Sequence, residues 1–425
     1  MTAAAGGAPS PLHDAALLSR AAARFGTPFF LYDFDAIRER AAALAETLGS
    51  RFTVAYAVKA NPSLAVLSVL SRAGLGADVA STGELLAARR AGFPASRLLA
   101  TGPAKSDADL TALVRAGVSQ IHAEGPEELD RLQAIAERAR RRVRVGLRLN
   151  PPWGIAEKRT IIGGPGAKKF GFDLPSARAA LAGRDRWRSL DLGGFQVFNA
   201  SNVLDADLLV DNVRRVLALS VSLGRRHGVP LGTVDFGGGL GVPYLPSERP
   251  LDRELLARGL AAVAAEVERE PLLRGTRLVF EPGRYLVAEA GVYVTRVLGT
   301  KRSRGVTYAL VDGGVHHLLR PALIGTPHRV RLSGREGESS RERVVVAGPL
   351  CTSLDLLHPG ARLPLPRAGD LLVVENAGAY GYTESMPLFL SHEWPAEVGV
   401  SSGALARLRR PPRVAELLDA QAAPF

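Results

Sequence analysis

The feature that most constrains the fold is a strand-and-helix rhythm that repeats eight times along the first two thirds of the chain. Strand-like runs of β-branched, aromatic and small residues are separated by amphipathic helical patterns rich in alanine and leucine. Alternating strands and helices favour a parallel sheet covered by helices, and eight such units over roughly 230 residues are typical of a closed (β/α)8 barrel. The runs are, in order, FTVAYAVK, GLGADVAS, RLLATGPA, SQIHAEGP, RVRVGLRLN, LGGFQVFN, GTVDFGGG and TRLVFEPG.

An open, doubly wound sheet is the alternative to the barrel. Such a sheet is expected to carry a glycine-rich fingerprint in its first strand-to-helix turn. The turn here reads KANP and contains no glycine. The sequence therefore predicts an α/β protein built on a TIM-like barrel over residues 35–284.

The pattern changes after the barrel. From residue 285 to 425 the strands are joined by Gly, Pro and Asp turns without helical patterns between them, which predicts an antiparallel β-domain. Residues 1–34 form a separate N-terminal segment, and its strand candidate PFFLYDFD could pair with the β-domain instead of the barrel.

Composition places the chain among ordinary globular proteins. Hydrophobic residues make up 46% and charged residues 23% of its 425 residues, which does not fit a disordered or fibrous class. The beginning of the chain lacks a basic region followed by an apolar one, and no apolar run reaches membrane-spanning length, so we expect a cytoplasmic protein without a membrane partner. A single cysteine, Cys351, excludes a disulfide framework and a cysteine-rich metal site, and we expect no metal.

The net charge of +12 is carried mostly by arginine. It is typical either of an acidic partner or of arginine-favouring codon usage with scattered solvated charges. The arginine runs lack interleaved aromatic residues, so we expect no nucleic-acid partner.

Polar residues collect at the carboxyl ends of the predicted strands, where barrels of this kind hold their chemistry. Lys59 ends the first strand; it could extend to solvent, or it could be a partly desolvated lysine that forms a Schiff base with an aldehyde. The glycine loop DFGGGLG could be a turn or a phosphate cradle, and Glu281 could pair with Arg284 or face a pyridine nitrogen. Taken together, a lysine, a phosphate cradle and a carboxylate fit pyridoxal 5′-phosphate.

These segments carry a resemblance to a known family. AYAVKAN, ASTGEL, LRLNP, KFGF, DFGGGLG, EPGRYLV, GPLCTSLD and ENAGAYG occur in this order, as in the fold-type III pyridoxal-phosphate decarboxylases that include diaminopimelate and ornithine decarboxylases. The resemblance covers roughly residues 25 to 400. It implies a barrel of the alanine-racemase type, bound pyridoxal 5′-phosphate and a homodimer whose subunits share their active sites.

The resemblance also implies roles for individual residues. Lys59 would bind the cofactor aldehyde and Glu281 its pyridine nitrogen. Cys351 would come from the other subunit and protonate the carbanion left by decarboxylation; a small buried hydrophobe is the plainer interpretation of a lone cysteine. The other residues expected at the cofactor are Asp78, Arg148, Phe198, Ser201, Gly237, Gly238, Gly239, Gly283, Arg284 and Tyr380.

The substrate-binding residues expected from the resemblance are Arg320, Thr352 and Asp355. Three positions depart from the diaminopimelate decarboxylase pattern. Phe198 stands where that pattern has a histidine, Thr352 replaces a glutamate, and Ile324 replaces the tyrosine of RPALY. The losses remove polar contacts to the far end of a substrate, so free diaminopimelate is expected to fit poorly.

Four runs, FQVFNASN, DGGVHHLLRP, GPLCTSLDLL and SMPLFLSHEWPAEV, more closely resemble a subgroup of this family. It includes carrier-protein-linked amino-acid decarboxylases of secondary metabolism and relatives found beside exopolysaccharide export systems. The substrate would then be either an aminoacyl group on an acidic acyl carrier protein or a free amino acid. Diaminopimelate decarboxylase, amino-acid racemase and non-enzymatic cofactor-binding barrel are the alternatives. Glu281 and the GPLC motif are unlike a racemase, and the long β-domain is unlike a single-domain barrel.

Two further features of the sequence bear on function. His316 and His317 follow a β-domain strand, and adjacent strand residues point to opposite faces, so the two cannot line one site without a turn and we expect a structural role. The segment GGPGAKKFGF could be a lid or a surface loop.

Overall fold

The computed structural model describes residues 10–155, 169–199, 201–419 and 421. Contacts divide the chain into two compact units. The barrel unit contains Arg40–Val242 and Arg249–Tyr285, and the β unit contains the chain up to Glu39, Pro243–Glu248 and the chain from Leu286 onward. The domain limits expected at 34/35 and 284/285 stay predictions. Most of the segment GGPGAKKFGF, residues 163–168, lies outside the described residues.

After a 3-10 turn, Pro11–His13, the first α-helix of the described chain is well capped. Helix α1 (Ala15–Phe25) starts where the Asp14 carboxylate accepts hydrogen bonds from the Ala16 and Leu17 amides, and it ends at Gly26, whose φ is +80°. Strand β1 (Phe29–Asp33) and helix α2 (Phe34–Leu48) follow.

Eight parallel strands then close into a barrel, as the sequence predicts. The last strand pairs with the first through Phe52 and Leu278. Pairing also aligns Gln196 with Asp235, which brings polar side chains from two strands to the same level. The strands are β2 (Phe52–Ala57), β3 (Gly76–Val79), β4 (Leu98–Ala100), β5 (Gln120–Ala123), β6 (Val143–Leu149), β7 (Leu190–Val197), β8 (Thr233–Asp235) and β9 (Arg277–Phe280).

Amphipathic helices connect the barrel strands and bury their apolar faces. Helix α5 shows why these segments are helical: Ser106 and Asp109 form a reciprocal capping box at its start, and Gly117 ends it with φ of +68°. The helices are α3 (Leu64–Arg72), α4 (Thr82–Arg90), α5 (Asp107–Ala116), α6 (Pro126–Arg138), α7 (Leu174–Ala182), α8 (Ala206–His227) and α9 (Arg253–Arg269).

The β unit is built on a nine-stranded sheet that includes β1. Most pairs are antiparallel, as expected, but β1 with β16 and β11 with β13 are parallel, so the sheet is mixed. The remaining elements are α10 (Arg284–Val287), β10 (Gly291–Ser303), β11 (Val306–Val311), α11 (Arg320–Ile324), β12 (Val330–Leu332), β13 (Glu342–Ala347), β14 (Leu356–Leu363), β15 (Leu371–Val374), β16 (Ala396–Ser401), β17 (Ala404–Arg409) and α12 (Val414–Leu418).

One face of this sheet is covered by α1. Leu17 and Leu18 of the helix pack in one cluster with Phe29, Val294 and Val398 of three neighbouring strands. Burial of large apolar side chains there, each contributing about 1.5–3 kcal/mol, holds the N-terminal segment to the sheet. Among the described helices, none combines the length and the apolar character needed to cross a membrane.

Candidate active site

Lys59 stands at the carboxyl end of the first barrel strand. It lies on a short 3-10 turn, Val58–Ala60, directly after β2. Its Nζ lies 3.0 Å from Oδ2 of Asp78, and the Lys59 side chain is 37% exposed whereas that of Asp78 is fully buried. Burial acts to raise the pKa of Asp78, but the Lys59 ammonium and a hydrogen bond from Thr101 hold it below its usual range. Asp78 is therefore an anion that holds Lys59 at the barrel mouth.

Glu281 follows β9 and is buried among side chains of other strands. Gln196 Nε2 lies 2.9 Å from both of its oxygens, and the Thr101 hydroxyl lies 3.4 Å from Oε1. Burial, and then the negative charge of Asp78, raise the pKa of Glu281 to about 7. The network fixes the orientation of a carboxyl group whose charge depends on what is placed beside it.

His122 extends this network from β5. Its Nδ1 lies 3.0 Å from Thr101 Oγ1 and its Nε2 lies 3.1 Å from Gln120 Nε2. Burial lowers the pKa of His122 to about 3, so the ring is neutral. Because the Gln120 amide can only donate through Nε2, the His122 proton lies on Nδ1 and points toward Thr101.

The glycine loop follows β8. Gly237 and Gly239 have φ of +66° and +105°, which side-chain-bearing residues rarely adopt. A Cβ on Gly238 would lie 2.6 Å from the Glu281 carbonyl oxygen, and one on Gly283 would lie 2.8 Å from Ala60 Cβ. Glycine is therefore favoured at these positions. Backbone that carries no side chains is backbone that an anion can approach closely.

Phe198 lies beside this loop. The half-buried Phe198 ring is so close that a Cβ on Gly237 would lie 2.7 Å from Cδ2. Ser201 is half-buried, and its roles and those of Phe198 stay predictions. Arg284 is 8% exposed at the start of α10, after the buried Gly283.

Arg148 is buried in an ion pair. Its Nη1 lies 2.7 Å from Glu124 Oε1, and the guanidinium lies 4.6 Å from the Phe170 ring centroid. Glu124 Oε2 also accepts a hydrogen bond from the Gly171 amide. In the structure Arg148 therefore holds the described end of the KFGF segment, while its expected contact with the cofactor stays a prediction.

The β unit carries the residues expected to meet the substrate. Cys351 is exposed and not the small buried hydrophobe of the plainer interpretation. Asp355 is buried, with Oδ1 accepting from the Val315 amide and Oδ2 from the Leu350 amide at 2.8 and 2.7 Å. Asp355 thus fixes the loop that bears Cys351, and its substrate contact stays a prediction. Thr352 is half-buried beside the cysteine.

Arg320 and Tyr380 contact each other in the same unit. The guanidinium lies 4.6 Å from the Tyr380 ring centroid, and Nη1 lies 2.8 Å from Glu384 Oε2. The Arg320 side chain is 7% exposed and that of Glu384 is 32% exposed. The sequence reasoning missed Glu384, which has no motif signal.

The two predicted structural histidines, His316 and His317, are neighbours in space. His316 and His317 lie in a turn, not in a strand, and their ring centroids are 3.6 Å apart. His317 lies within hydrogen-bonding distance of Tyr293 Oη and of the Glu393 carbonyl. A turn places adjacent side chains together, which the alternation of a strand would not.

Four barrel residues of the network were also missed: Thr101, His122, Gln196 and Asp235. Each is a polar residue within or directly after an otherwise apolar strand run, and each is buried. That signal was available, because a buried parallel strand reads as a nearly continuous apolar run.

A closed barrel with a lysine, a bare glycine loop and a buried carboxyl at one end defines the class of barrel enzymes that use pyridoxal 5′-phosphate. The model of the family described as pyridoxal-dependent decarboxylase, pyridoxal binding domain, matches residues 34–288. The chain belongs to this family.

Similar proteins include decarboxylases with different substrates. An L-glutamyl-[BtrI acyl-carrier protein] decarboxylase from Niallia circulans is 33% identical over 93% of this chain and 94% of its own length. A diaminopimelate decarboxylase from Actinosynnema pretiosum is 38% identical over 84% of this chain and 80% of its own. The crystal structure of the Helicobacter pylori diaminopimelate decarboxylase with L-lysine has a TM-score of 0.85 at 27% identity, covering 95% of this chain and 98% of that one. The chain is a pyridoxal-phosphate-dependent amino-acid decarboxylase.

The residues present fit the cofactor. The glycine loop after β8 presents backbone without side chains, and Asp78 Oδ1 and Gln196 Oε1 are buried without a hydrogen-bond partner among the described residues. When bound, pyridoxal 5′-phosphate withdraws the electrons released at the substrate's α-carbon as the carboxylate leaves. The carboxyl cluster suits a cationic pyridine ring, since buried anions require an opposite charge.

Proposed function

We propose that this decarboxylase acts on an aminoacyl group carried by an acidic acyl carrier protein in specialised metabolism. The observation that carries the proposal is the Arg320–Glu384 ion pair, whose atoms lie 2.8 Å apart. A guanidinium already paired with a carboxylate offers little net charge to the distal carboxylate of a free amino acid. A thioester end is neutral and needs no such partner.

Other features support the same substrate class. Thr352 and Ile324 bring no charge to the loop and helix where the diaminopimelate decarboxylase pattern has polar groups. The relative from Niallia circulans is described as acting on a carrier-linked glutamyl group. The net charge of +12 would attract an acidic carrier over a long range.

Roles for individual residues of the barrel and of the β unit are part of the proposal. Lys59 binds the cofactor aldehyde, and Asp78 orients the Lys59 side chain. The phosphate is held by Gly237–Gly239, Arg284, Ser201 and Tyr380. Glu281 faces the pyridine nitrogen, and Phe198 packs against the ring. Cys351 returns a proton to the α-carbon.

We further propose a homodimer in which Cys351 serves the partner's barrel. Several side chains near Cys351 or after Tyr380 are apolar yet exposed in the single chain: Leu354 at 61%, Leu388 at 68% and Phe389 at 44%. Exposed apolar groups of this size are typical of protein interfaces. A proton donor on an exposed loop needs such an interface to exclude water.

Diaminopimelate decarboxylase is the second candidate, because Arg320 is retained and a relative with that name is 38% identical. Carbon dioxide release separates the two. The purified protein with pyridoxal 5′-phosphate is tested on free diaminopimelate, lysine, ornithine, arginine, glutamate and aspartate, and then on aminoacylated carrier protein. We expect release from the carrier-linked substrate only, and turnover of free diaminopimelate would overturn the proposal.

A charge variant tests the ion pair itself. Glu384→Gln leaves the Arg320 guanidinium uncompensated, so binding of free dicarboxylates such as glutarate should tighten by about tenfold, as for one added charge-assisted contact. Glu336 pairs with Arg331 elsewhere in the β unit, so Glu336→Gln is the matched control. Equal affinities in both variants would show that Arg320 does not face the ligand.

A further inference from the structure

A second buried carboxyl lies beside Glu281. Asp235 ends β8 and is completely buried. Its Oδ1 accepts a hydrogen bond from the Gly237 amide at 2.8 Å, and its Oδ2 accepts none from a donor among the described residues. One oxygen each of Asp235 and Glu281 and one ring nitrogen of His122 lie within 4.8 Å of one another.

The charges around this pair do not compensate two anions. The Lys59 ammonium contacts Asp78 Oδ2, and His122 is neutral. Burial lowers the pKa of Arg277, and the negative charge of Asp235 acts to raise it. The Arg277 guanidinium itself donates a hydrogen bond to Ser119 Oγ at 3.3 Å. Two adjacent buried carboxylates repel each other and lose hydration, so one of them keeps a proton.

The hydrogen bonds indicate which one keeps it. Both oxygens of Glu281 lie 2.9 Å from the Gln196 amide nitrogen, and donors of this kind favour an ionised carboxylate. Asp235 accepts one amide, from Gly237. Burial and the neighbouring Glu281 raise the pKa of Asp235 well above its ordinary value, whereas that of Glu281 reaches about 7.

We infer that Asp235 is a positioning residue that stays protonated at neutral pH and donates a hydrogen bond through its carboxyl group to Glu281. This bond keeps the Glu281 carboxylate ionised and fixed in orientation, ready to hold a cationic ring nitrogen. The inference concerns the cofactor half of the site and does not depend on which amino acid or carrier is the substrate.

Infrared spectroscopy tests the protonation directly in the cofactor-bound protein. A buried protonated carboxyl has a carbonyl band well separated from carboxylate bands. At neutral pH this band should shift when aspartate is labelled with 13C at its carboxyl and should be missing in Asp235→Asn. A band that shifts with labelled glutamate instead, or no such band in the wild-type protein, would overturn the inference.

Cofactor affinity tests the positioning role. Asparagine resembles a protonated aspartate, since it is neutral and keeps both a donor and an acceptor. By fluorescence titration of stripped protein, Asp235→Asn should bind pyridoxal 5′-phosphate within about threefold of wild type, and Asp235→Val should bind more than about tenfold more weakly. Asp78→Asn is the matched control: it removes an ionised partner of Lys59 and should weaken binding more than Asp235→Asn does.

Equal weakening by asparagine and valine at position 235 would mean that the residue acts as an anion, contrary to the inference. Circular dichroism of each variant establishes folding. If Asp235→Val does not fold, the labelled-aspartate infrared band still decides the protonation of Asp235.

Discussion

The barrel mouth and the Cys351 loop differ in how completely one chain builds them. At the barrel mouth, Asp78 and Glu281 are buried and linked to neighbouring strands by side-chain hydrogen bonds. In the β unit, Cys351 is exposed and Thr352 half-buried. Cofactor chemistry requires a fixed electrostatic environment, which rigid strands provide, whereas substrate choice can be set by loop residues whose replacement leaves the core intact.

The largest expected effect lies in the barrel. Lys59→Ala should remove the visible absorption band of the lysine-bound cofactor and lower turnover by at least about a thousandfold, because the covalent attachment is lost. Absorption spectra and carbon dioxide release measure both effects. Lys301→Ala, at an exposed position of β10, is the control. A retained absorption band in Lys59→Ala would assign the attachment to another lysine.

The Cys351 loop should respond differently. Cys351→Ala should slow turnover by roughly a hundredfold, the usual contribution of a positioned proton donor, while cofactor affinity stays near wild type. Steady-state rates and a cofactor titration of the same preparation separate the two quantities. Unchanged turnover would place the proton donor elsewhere and remove the functional contrast between the two regions.

The smallest expected effect is a pH dependence of stability in protein stripped of cofactor. The folded pKa of Glu281 is about 7 against an ordinary value of 4.5, so its contribution is full below about pH 4.5 and is lost as pH rises through about 7. The loss is about 3 kcal/mol at most. Urea unfolding between pH 4.5 and 8 should show it, and Glu281→Gln should make the profile less steep, with the remaining slope coming from Asp235, whose pKa is also raised by burial. An equal slope in that variant would assign the effect to other groups.

The sequence predicts the parts of this molecule that are local in the chain. The eight strands are confirmed by the closed barrel. They could be predicted because each apolar run is bounded by clear turn signals. Lys59 and Glu281 stand at strand ends that the pattern locates. The positions are found, while their chemical roles stay predictions.

What the sequence does not predict depends on pairing between distant segments. The Thr101–His122–Gln196–Asp235 network joins four strands, and only barrel closure brings these side chains together. The parallel pairing of β1 with β16 joins the two ends of the chain, for which no local pattern exists. The Arg320–Glu384 pair similarly connects a short helix to a loop.

Mixing two inactive variants tests the division between the barrel and the Cys351 loop most directly. Lys59→Ala lacks a competent barrel and Cys351→Ala lacks a competent loop. If the partner subunit supplies the cysteine, random exchange of subunits leaves one intact site in each mixed dimer and restores about a quarter of wild-type carbon dioxide release. No activity above the sum of the separate variants, despite subunit exchange shown by native mass spectrometry, would contradict a site shared between chains.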